Sequence, residues 1–200
     1  MFDTICHEHA EYYSTQVLIN MFNKNNLKLI TINQTSINGR SKQYLLTKSN
    51  SNIRVNEKKI KKIIDHEKKL KLDDYSTYKK FFRKINVLKK KLNIFINKQI
   101  KLNKIIHGYG ASTKGNTLLQ FYKTNHKKIE YIADRNPDKF GLKTPGTNIE
   151  IVSEEVSRSY NPDYYLVLPW HFKDEILRRE KKIRKKGTKF IFPLPSIKIY

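Results

Sequence analysis

Residues 105–122 read IIHGYGASTKGNTLLQFY, a short apolar run followed by a glycine-rich turn and a helix-like segment. The pair at 105–106 predicts a strand that leads into the turn, and residues 117–122 predict a helix. A strand, a tight glycine turn and a helix start together form an anion site, because unpaired N–H groups point outward there. The glycine spacing matches neither the dinucleotide fingerprint nor a Walker loop, so a purely structural turn remains the alternative.

The turn also carries groups that can hold a phosphate. Gly110 lets the backbone approach a ligand, Ser112 and Thr113 add hydroxyl donors, and Lys114 adds a positive charge. We therefore expect a phosphate or nucleotide ligand at this turn.

Strand-like runs alternate with helical segments through the last hundred residues. The runs lie at 129–133, 150–152, 164–168 and 189–193. Residues 164–168 (YYLVL) are continuously apolar or aromatic, as a strand buried on both faces should be. This alternation predicts an α/β fold, with a Rossmann-like C-terminal domain built on a mostly parallel sheet with helices on both faces.

Polar residues follow the ends of these predicted strands. Asp134 ends the second strand, where an acid can accept a hydrogen bond from a ribose hydroxyl, although a capping or turn role is the alternative. Arg135 and the loop at 143–146, which begins with Lys143, are expected at the same edge of the sheet. Trp170 follows the fourth strand and is either a ligand wall or part of the core.

The first half of the chain has a different pattern. Helical spacing at 12–22 and alternation at 27–33 and 43–47 predict a helix followed by an antiparallel strand pair. A long amphipathic helix is predicted from Tyr75 onward, with lysines on its solvated face. We expect three segments: a helix and strand pair in 1–50, a basic helical linker in 51–104, and the Rossmann-like domain in 105–200.

The chain is strongly basic. Lys and Arg number 41 against 18 Asp and Glu, which gives a formal net charge of +23. Nucleic-acid binding would use such charge, but no stacking motif, zinc finger or Arg-rich arm accompanies it, and joint over-use of Lys, Ile and Asn also fits a codon bias. We expect no nucleic-acid partner. A basic surface would also attract a diphosphate-bearing small molecule.

Cysteine content and hydropathy indicate the compartment. Cys6 is the single cysteine of the chain, which excludes an internal disulfide framework. No apolar run approaches the roughly 20 residues that span a bilayer, and no signal-peptide pattern opens the sequence. We therefore expect a cytoplasmic protein with no membrane association.

Residues 6–9 read CHEH and concentrate groups that move protons near neutral pH. A metal site is one interpretation, but imidazoles at i and i+2 share a side only on a strand, and no third ligand is evident. A structural turn is the second interpretation. The third is acid–base chemistry, with His7 or His9 moving the proton and Glu8 orienting it.

Five segments together carry a resemblance to a known family. They lie at 3–9, 109–116, 134–141, 144–147 and 168–170. As a set they resemble the sugar C-methyltransferases, which use S-adenosylmethionine to methylate nucleotide-linked 4-keto sugars, and the chain resembles the C-terminal half of that family.

The resemblance implies a division of labour along a longer protein. Family members resemble three-part proteins with a small zinc domain, a central S-adenosylmethionine domain and a C-terminal α/β domain. This chain would begin inside the central domain, so that residues 1–50 are its last elements. Most of the methyl-donor site, and the zinc of the N-terminal domain, would then lie outside this chain, with no metal site within it.

The resemblance also implies roles for individual residues. His9 would remove a proton from the carbon beside the ketone, and His7 and Glu8 would orient it or stabilise the enolate. The family often has Tyr where this chain has Cys6, so the donor to the oxyanion would be Tyr12 or a residue outside this chain. The nucleotide diphosphate sugar would be bound by Gly110, Ser112, Thr113, Lys114, Asn116, Asp134, Arg135, Lys143 and Trp170.

Two functions follow from these expectations. The first is a truncated methyltransferase that holds the substrate and the base, is inactive alone, and works with a separate chain carrying the missing half. The second is a non-enzymatic module that binds a nucleotide, or an acidic partner through the basic helix.

Overall fold

A computed structural model describes residues 2–6, 8–35 and 41–200 of the chain. They divide into two compact units, one formed by Glu11–Phe82 and the other by Met1–Ala10 together with Arg83–Tyr200. The predicted segments 1–50, 51–104 and 105–200 were defined by their expected roles, whereas the two units are defined by compactness. The predicted division therefore stays a prediction.

The unit Glu11–Phe82 combines helices with a two-stranded sheet. Its elements are α1 (Thr15–Lys24), β1 (Leu27–Thr35), β2 (Ser41–Lys48) and α2 (Glu57–Lys69). Strands β1 and β2 pair antiparallel, with Leu27 opposite Lys48, as alternation in the sequence predicts. Leu29, Ile32 and Ile63 form its buried core.

A long helix, α3 (Tyr75–Lys101), follows. Asp74 precedes it and accepts the N–H of Ser76 at 2.7 Å, which satisfies a donor in the first turn. Ile85, Leu92 and Ile96 are buried at helical spacing, whereas Tyr78 and Phe82 on the apolar side of the helix are exposed. The predicted amphipathic stripe is therefore core only from Ile85 onward.

The remaining elements alternate between strand and helix. They are β3 (Ile106–Tyr109), α4 (Thr113–Tyr122), β4 (Tyr131–Asp134), β5 (Glu150–Ser153), α5 (Glu154–Ser159), β6 (Tyr164–Val167), α6 (Lys173–Arg179), α7 (Lys181–Lys185), β7 (Lys189–Phe192) and β8 (Lys198–Ile199). They form a sheet of order β5-β4-β3-β6-β7-β8. All neighbours pair parallel except β7 and β8, which are antiparallel. The predicted α/β fold with a mostly parallel sheet is confirmed.

Three local predictions need correction. Helix α4 begins at Thr113 rather than at residue 117, because Ser112 caps it. The sequence pattern through residues 172–183 predicts one continuous helix, but the structure divides it into α6 and α7 at Glu180, whose φ of −88° and ψ of 20° leave the helical region. The antiparallel edge strand β8 has no counterpart in the predicted set.

Both faces of the sheet are covered, and its connections reverse direction at one point. Ile132 and Leu166 pack on one face with Leu92 and Leu118, and Tyr165 packs on the other face. Strands β4 and β5 extend the sheet on one side of β3, whereas β6 and β7 extend it on the other. In open α/β sheets, ligands bind at such a switch point, outside the carboxyl ends of the strands.

Candidate functional site

The glycine turn lies at this switch point. Gly110 has a left-handed φ of +80°, and a Cβ added to it would lie 2.7 Å from Pro169, which follows β6. Its N–H donates to the carbonyl of Ala133 at 2.7 Å. Both the backbone conformation and the close neighbour therefore require glycine here. Packing explains this part of the sequence signal without any ligand.

The N-terminus of α4 opens beside the turn. Ser112 is its N-cap, and the Ser112 Oγ accepts the N–H of Gly115 at 3.1 Å. Thr113 and Lys114 form the first turn, where the helix dipole carries partial positive charge. The structure thus brings Gly110, Ser112, Thr113 and Lys114 together, and the arrangement favours a negatively charged group.

Asp134 braces the turn from the end of β4. Its Oδ2 accepts the N–H of Ala111 at 2.6 Å, and its Oδ1 accepts the N–H of Asn136 at 2.8 Å. Lys139 donates to the carbonyl of Ala111 at 2.7 Å and lies 3.7 Å from Asp134 Oδ2. Both carboxylate oxygens therefore hold backbone, which matches the turn alternative. A contact of Asp134 with a ribose stays a prediction.

A cleft of about 290 Å³ opens between the glycine turn, the end of β4 and α6. Exposed Arg135 lines it. The cleft has charged and aromatic walls, contributed by Tyr109, Glu154, Phe172, Glu175 and Arg179.

A network of two carboxylates and two guanidinium groups adjoins the cleft. Arg158 donates to Glu154 and to Glu180, each at 2.9 Å. Arg179 donates to the same carboxylates at 2.9 and 3.0 Å. The Tyr109 hydroxyl lies 2.6 Å from Glu180 and also contacts Arg179. These ion pairs hold in place the side of the cleft that is lined by Tyr109, Glu154 and Arg179.

Burial and hydrogen bonding have opposite effects on the pKa of Glu180 in this network. Burial opposes charge on Glu180, but hydrogen bonds from Tyr109 and Arg179 and the charge of Arg158 outweigh it and lower the Glu180 pKa. Burial and the neighbouring Glu180 raise the Tyr109 pKa. Tyr109 is therefore neutral and Glu180 ionised at neutral pH.

The N-terminal segment is built into the same compact unit. Phe2 packs against Phe121 and Tyr122, with ring centroids 5.1 and 5.6 Å apart. Asp3, which is 1% exposed, accepts the indole N–H of Trp170 at 2.8 Å. Burial and the Asp3 charge raise the Tyr122 pKa to about 12. Trp170 is thus a hydrogen-bonding residue rather than core alone, and its predicted contact with substrate stays a prediction.

His9 has a defined ring orientation. Its Nδ1 lies 2.7 Å from the carbonyl oxygen of Thr4 and 3.7 Å from the Cys6 sulfur. A carbonyl oxygen only accepts, so Nδ1 carries the proton in the neutral ring. The lone pair is therefore on Nε2, the atom suited to take up a proton.

His171 is a further titratable group near these residues. Burial and the charge of Lys114 lower its pKa, and the charge of Asp3 opposes them. Its Nδ1 is buried with no hydrogen-bond partner among the residues described. The position of His171 just after β6, at the carboxyl edge of the sheet, is the sequence signal that marks it.

The other predicted site residues have mixed outcomes. Asn116 lies on α4, and its buried Oδ1 has no partner within the described part of the chain. Glu8 is exposed in the same unit as His9. Tyr12 belongs to the unit Glu11–Phe82, and His7 lies outside the described residues. Catalytic roles for all of these stay predictions.

Lys143 lies away from the glycine turn, contrary to expectation. The chain at 141–144 doubles back along β5, with Gly141 donating to Ile151 and Thr144 donating to Ile149, each at 2.9 Å. This places Lys143 opposite Glu150, the first residue of β5. The expected location at the carboxyl edge is wrong, because this antiparallel return carries Lys143 to the amino ends of the strands.

No group of three or more His, Cys, Asp or Glu side chains in the described ranges is arranged to hold a metal ion. No helix within those ranges combines the length and apolar character needed to cross a membrane.

Comparison with known proteins agrees with this architecture. A family model described as "C-methyltransferase C-terminal domain" matches residues 36–195. The chain is 28% identical over 198 residues to the C-methyltransferase NovU of Streptomyces niveus, an alignment that covers 99% of this chain and 47% of that relative. The chain thus spans about half the length of the curated relative it matches. With four-fifths of its length inside the family match, the chain belongs to the C-methyltransferase C-terminal domain family.

Proposed function

We propose that this chain is the substrate-binding part of an S-adenosylmethionine-dependent C-methyltransferase that acts on a nucleotide-linked keto sugar. The observation that carries the proposal is the orientation of His9, whose Nδ1–H is directed to Thr4 within the same compact unit as the glycine turn. Family membership supports methyl transfer to carbon.

The glycine turn and α4 would hold the diphosphate. The first-turn N–H groups of α4 carry partial positive charge, and Lys114 adds a full charge beside them. The cleft lined by Arg135 and Arg179 offers further room for a nucleotide next to the turn.

His9 would act as the general base. The lone pair on Nε2 takes the proton from the carbon beside the ketone, and the electron pair of the broken C–H bond forms the enolate, whose oxygen gains negative charge. Glu8 and His7 would orient the base or stabilise the enolate. Tyr12 would donate to the enolate oxygen.

The methyl donor needs residues beyond those described. S-adenosylmethionine supplies a methyl group on a sulfonium, and binding it together with a nucleotide sugar requires a second nucleotide crevice. Among the described residues, one strand–glycine–helix turn is present, between β3 and α4, and Asp134 and Ser112 are used within it. We therefore propose that the methyl donor binds outside the described residues.

A partner chain and a location complete the proposal. A separate chain would supply the donor site, and this chain alone would not methylate. We also propose a cytoplasmic location and no nucleic-acid partner, with the positive charge attracting the diphosphate.

Titration calorimetry with UDP and dTDP tests the proposal. We expect binding that weakens with added salt, because charge attracts the diphosphate. Absence of heat with both nucleotides, together with binding of an oligonucleotide or an acidic peptide, would favour the non-enzymatic module instead.

A further inference from the structure

We propose that Asp3 and Trp170 form a positioning pair that holds His9 in register with the glycine turn. This inference rests on the proposed function, because it assigns the pair a role in proton removal by His9. The two residues lie 167 positions apart in sequence.

Loss of the hydrogen bond between Asp3 and Trp170 would be energetically unfavourable. Asp3 is 1% exposed, and a buried carboxylate requires hydrogen-bond donors. The Trp170 indole N–H reaches its Oδ2 at 2.8 Å, whereas its Oδ1 has no partner among the described residues. Removal of the indole N–H would leave a buried charge poorly paired, which favours release of Asp3 from its site.

Asp3 is connected to His9 through one short turn. Residues Phe2–Thr4 form a 3-10 helix that the N–H of Ile5 closes on the carbonyl of Phe2 at 2.9 Å. Thr4 follows Asp3 directly, and the Thr4 carbonyl accepts the Nδ1–H of His9. A displacement of Asp3 therefore displaces the group that sets the His9 tautomer and ring direction.

The residues that precede Trp170 contact the glycine turn directly. Pro169 lies so close to Gly110 that an added Cβ there would be 2.7 Å from the proline ring. The N–H of Leu168 donates to the carbonyl of Tyr109 at 3.0 Å. The position of the indole is thus fixed relative to the backbone that would hold the diphosphate.

The alternative is a purely structural anchor, since Phe2 also packs into the core. A positioning pair and a structural anchor differ in their effect on the rate of proton removal. A positioning pair affects the rate of proton removal beyond its effect on stability, because small displacements of a catalytic group can cost about 100-fold in rate. A structural anchor affects stability alone.

The experiment compares the full chain with Asp3→Ala, Asp3→Asn and Trp170→Phe. Asp174→Ala is the control, since the Asp174 side chain is 93% exposed. Amide hydrogen exchange reports protection of Ile5 and His9, whose N–H groups are bonded within the segment. Deuterium uptake at the carbon beside the ketone of a dTDP-linked 4-keto sugar in heavy water reports proton removal without a methyl donor.

We expect Asp3→Ala and Trp170→Phe to lose amide protection and to slow deuterium uptake by about 10- to 100-fold, and we expect the dTDP affinity of Asp3→Ala to be unchanged. Asp3→Asn keeps an acceptor for the indole N–H and should therefore retain more amide protection and faster deuterium uptake than Asp3→Ala. Unchanged protection in Asp3→Ala overturns the inference, as does lost protection with unchanged deuterium uptake. If the wild-type chain binds dTDP without any deuterium uptake, the proposed function of His9 fails and the inference fails with it, whereas normal uptake in all variants overturns the inference alone.

Discussion

The Nδ1 atom of His9 lies 2.7 Å from the carbonyl oxygen of Thr4. This contact assigns the proton to Nδ1 and the lone pair to Nε2 in the neutral ring. Thr4 belongs to the turn that Asp3 and Trp170 hold. An exposed histidine near the start of the chain therefore has one defined tautomer and a supported direction.

Lys114→Ala should weaken binding of UDP or dTDP by about tenfold, the value of one charge-assisted hydrogen bond to a phosphate. Charge reversal of the exposed Lys90 and Lys91 on α3 is the matched control and should leave the affinity unchanged. Lys89 is unsuitable as a control because its ammonium lies 4.7 Å from the centre of the Phe121 ring. Calorimetry measures both. A large loss with the α3 variant and none with Lys114→Ala would favour the basic-helix module.

Gly110→Ala should destabilise the fold more than Gly141→Ala does. Both glycines have left-handed φ, +80° and +76°, but an added Cβ meets Pro169 only at Gly110, with nothing within 4 Å at Gly141. The backbone cost is thus shared, and the overlap should add about 1–3 kcal/mol to the loss of unfolding free energy. Urea denaturation of the two variants measures the difference. Equal losses would show that the turn can move away from Pro169.

Glu180→Ala should cost about 3–5 kcal/mol of unfolding free energy, the range for breaking a buried ion pair. Glu180 is 3% exposed and accepts hydrogen bonds from Arg158 and Arg179. Glu155→Ala, at an exposed position on α5, should change stability by no more than about 0.5 kcal/mol. Thermal or urea denaturation checks both values. A small effect at Glu180 would mean that the network is not coupled to folding.

Stability should fall as pH drops from about 6.5 to 4, partly because of His107. Burial lowers the His107 pKa to about 4, so in this range the unfolded chain binds a proton that the folded chain does not. The buried neutral His107 contributes about 3 kcal/mol to the free energy of unfolding. This contribution is fully present above the unfolded-state pKa of about 6.5 and is lost as the pH falls toward 4.

The matched variant for this prediction is His107→Asn, which does not titrate and can still meet Ser157, now 2.8 Å from the His107 Nδ1. Urea denaturation at a series of pH values should give a flatter profile for the variant. The same slope in both proteins would show that His107 is protonated in the folded state.

Local patterns in the sequence predict the parallel strands of the sheet but not its antiparallel edge strand β8. Four strands of the parallel sheet follow from runs such as 164–168, because burial on both faces leaves an unbroken apolar signal. The start of α4 was misplaced because the capping bond of Ser112 to Gly115 forms in a polar stretch without apolar periodicity. Strand β8 has two residues, too few for any alternation.

Long-range contacts were beyond such patterns. The Asp3–Trp170 hydrogen bond joins residues 167 positions apart, and no spacing rule connects residues so distant in sequence. Lys143 was misplaced because the antiparallel return beside β5 depends on backbone hydrogen bonds of Gly141 and Thr144. Loop composition predicts that a turn occurs there but not the direction in which it carries a side chain.

Deuterium uptake at the carbon beside the ketone of a dTDP-linked 4-keto sugar measures proton removal by His9. The wild-type chain should catalyse uptake, and His9→Asn should slow it by about 100-fold or more. His126→Asn, at an exposed histidine lining a different cleft, should keep the wild-type rate. Equal rates for the wild-type chain and His9→Asn would show that His9 does not remove the proton.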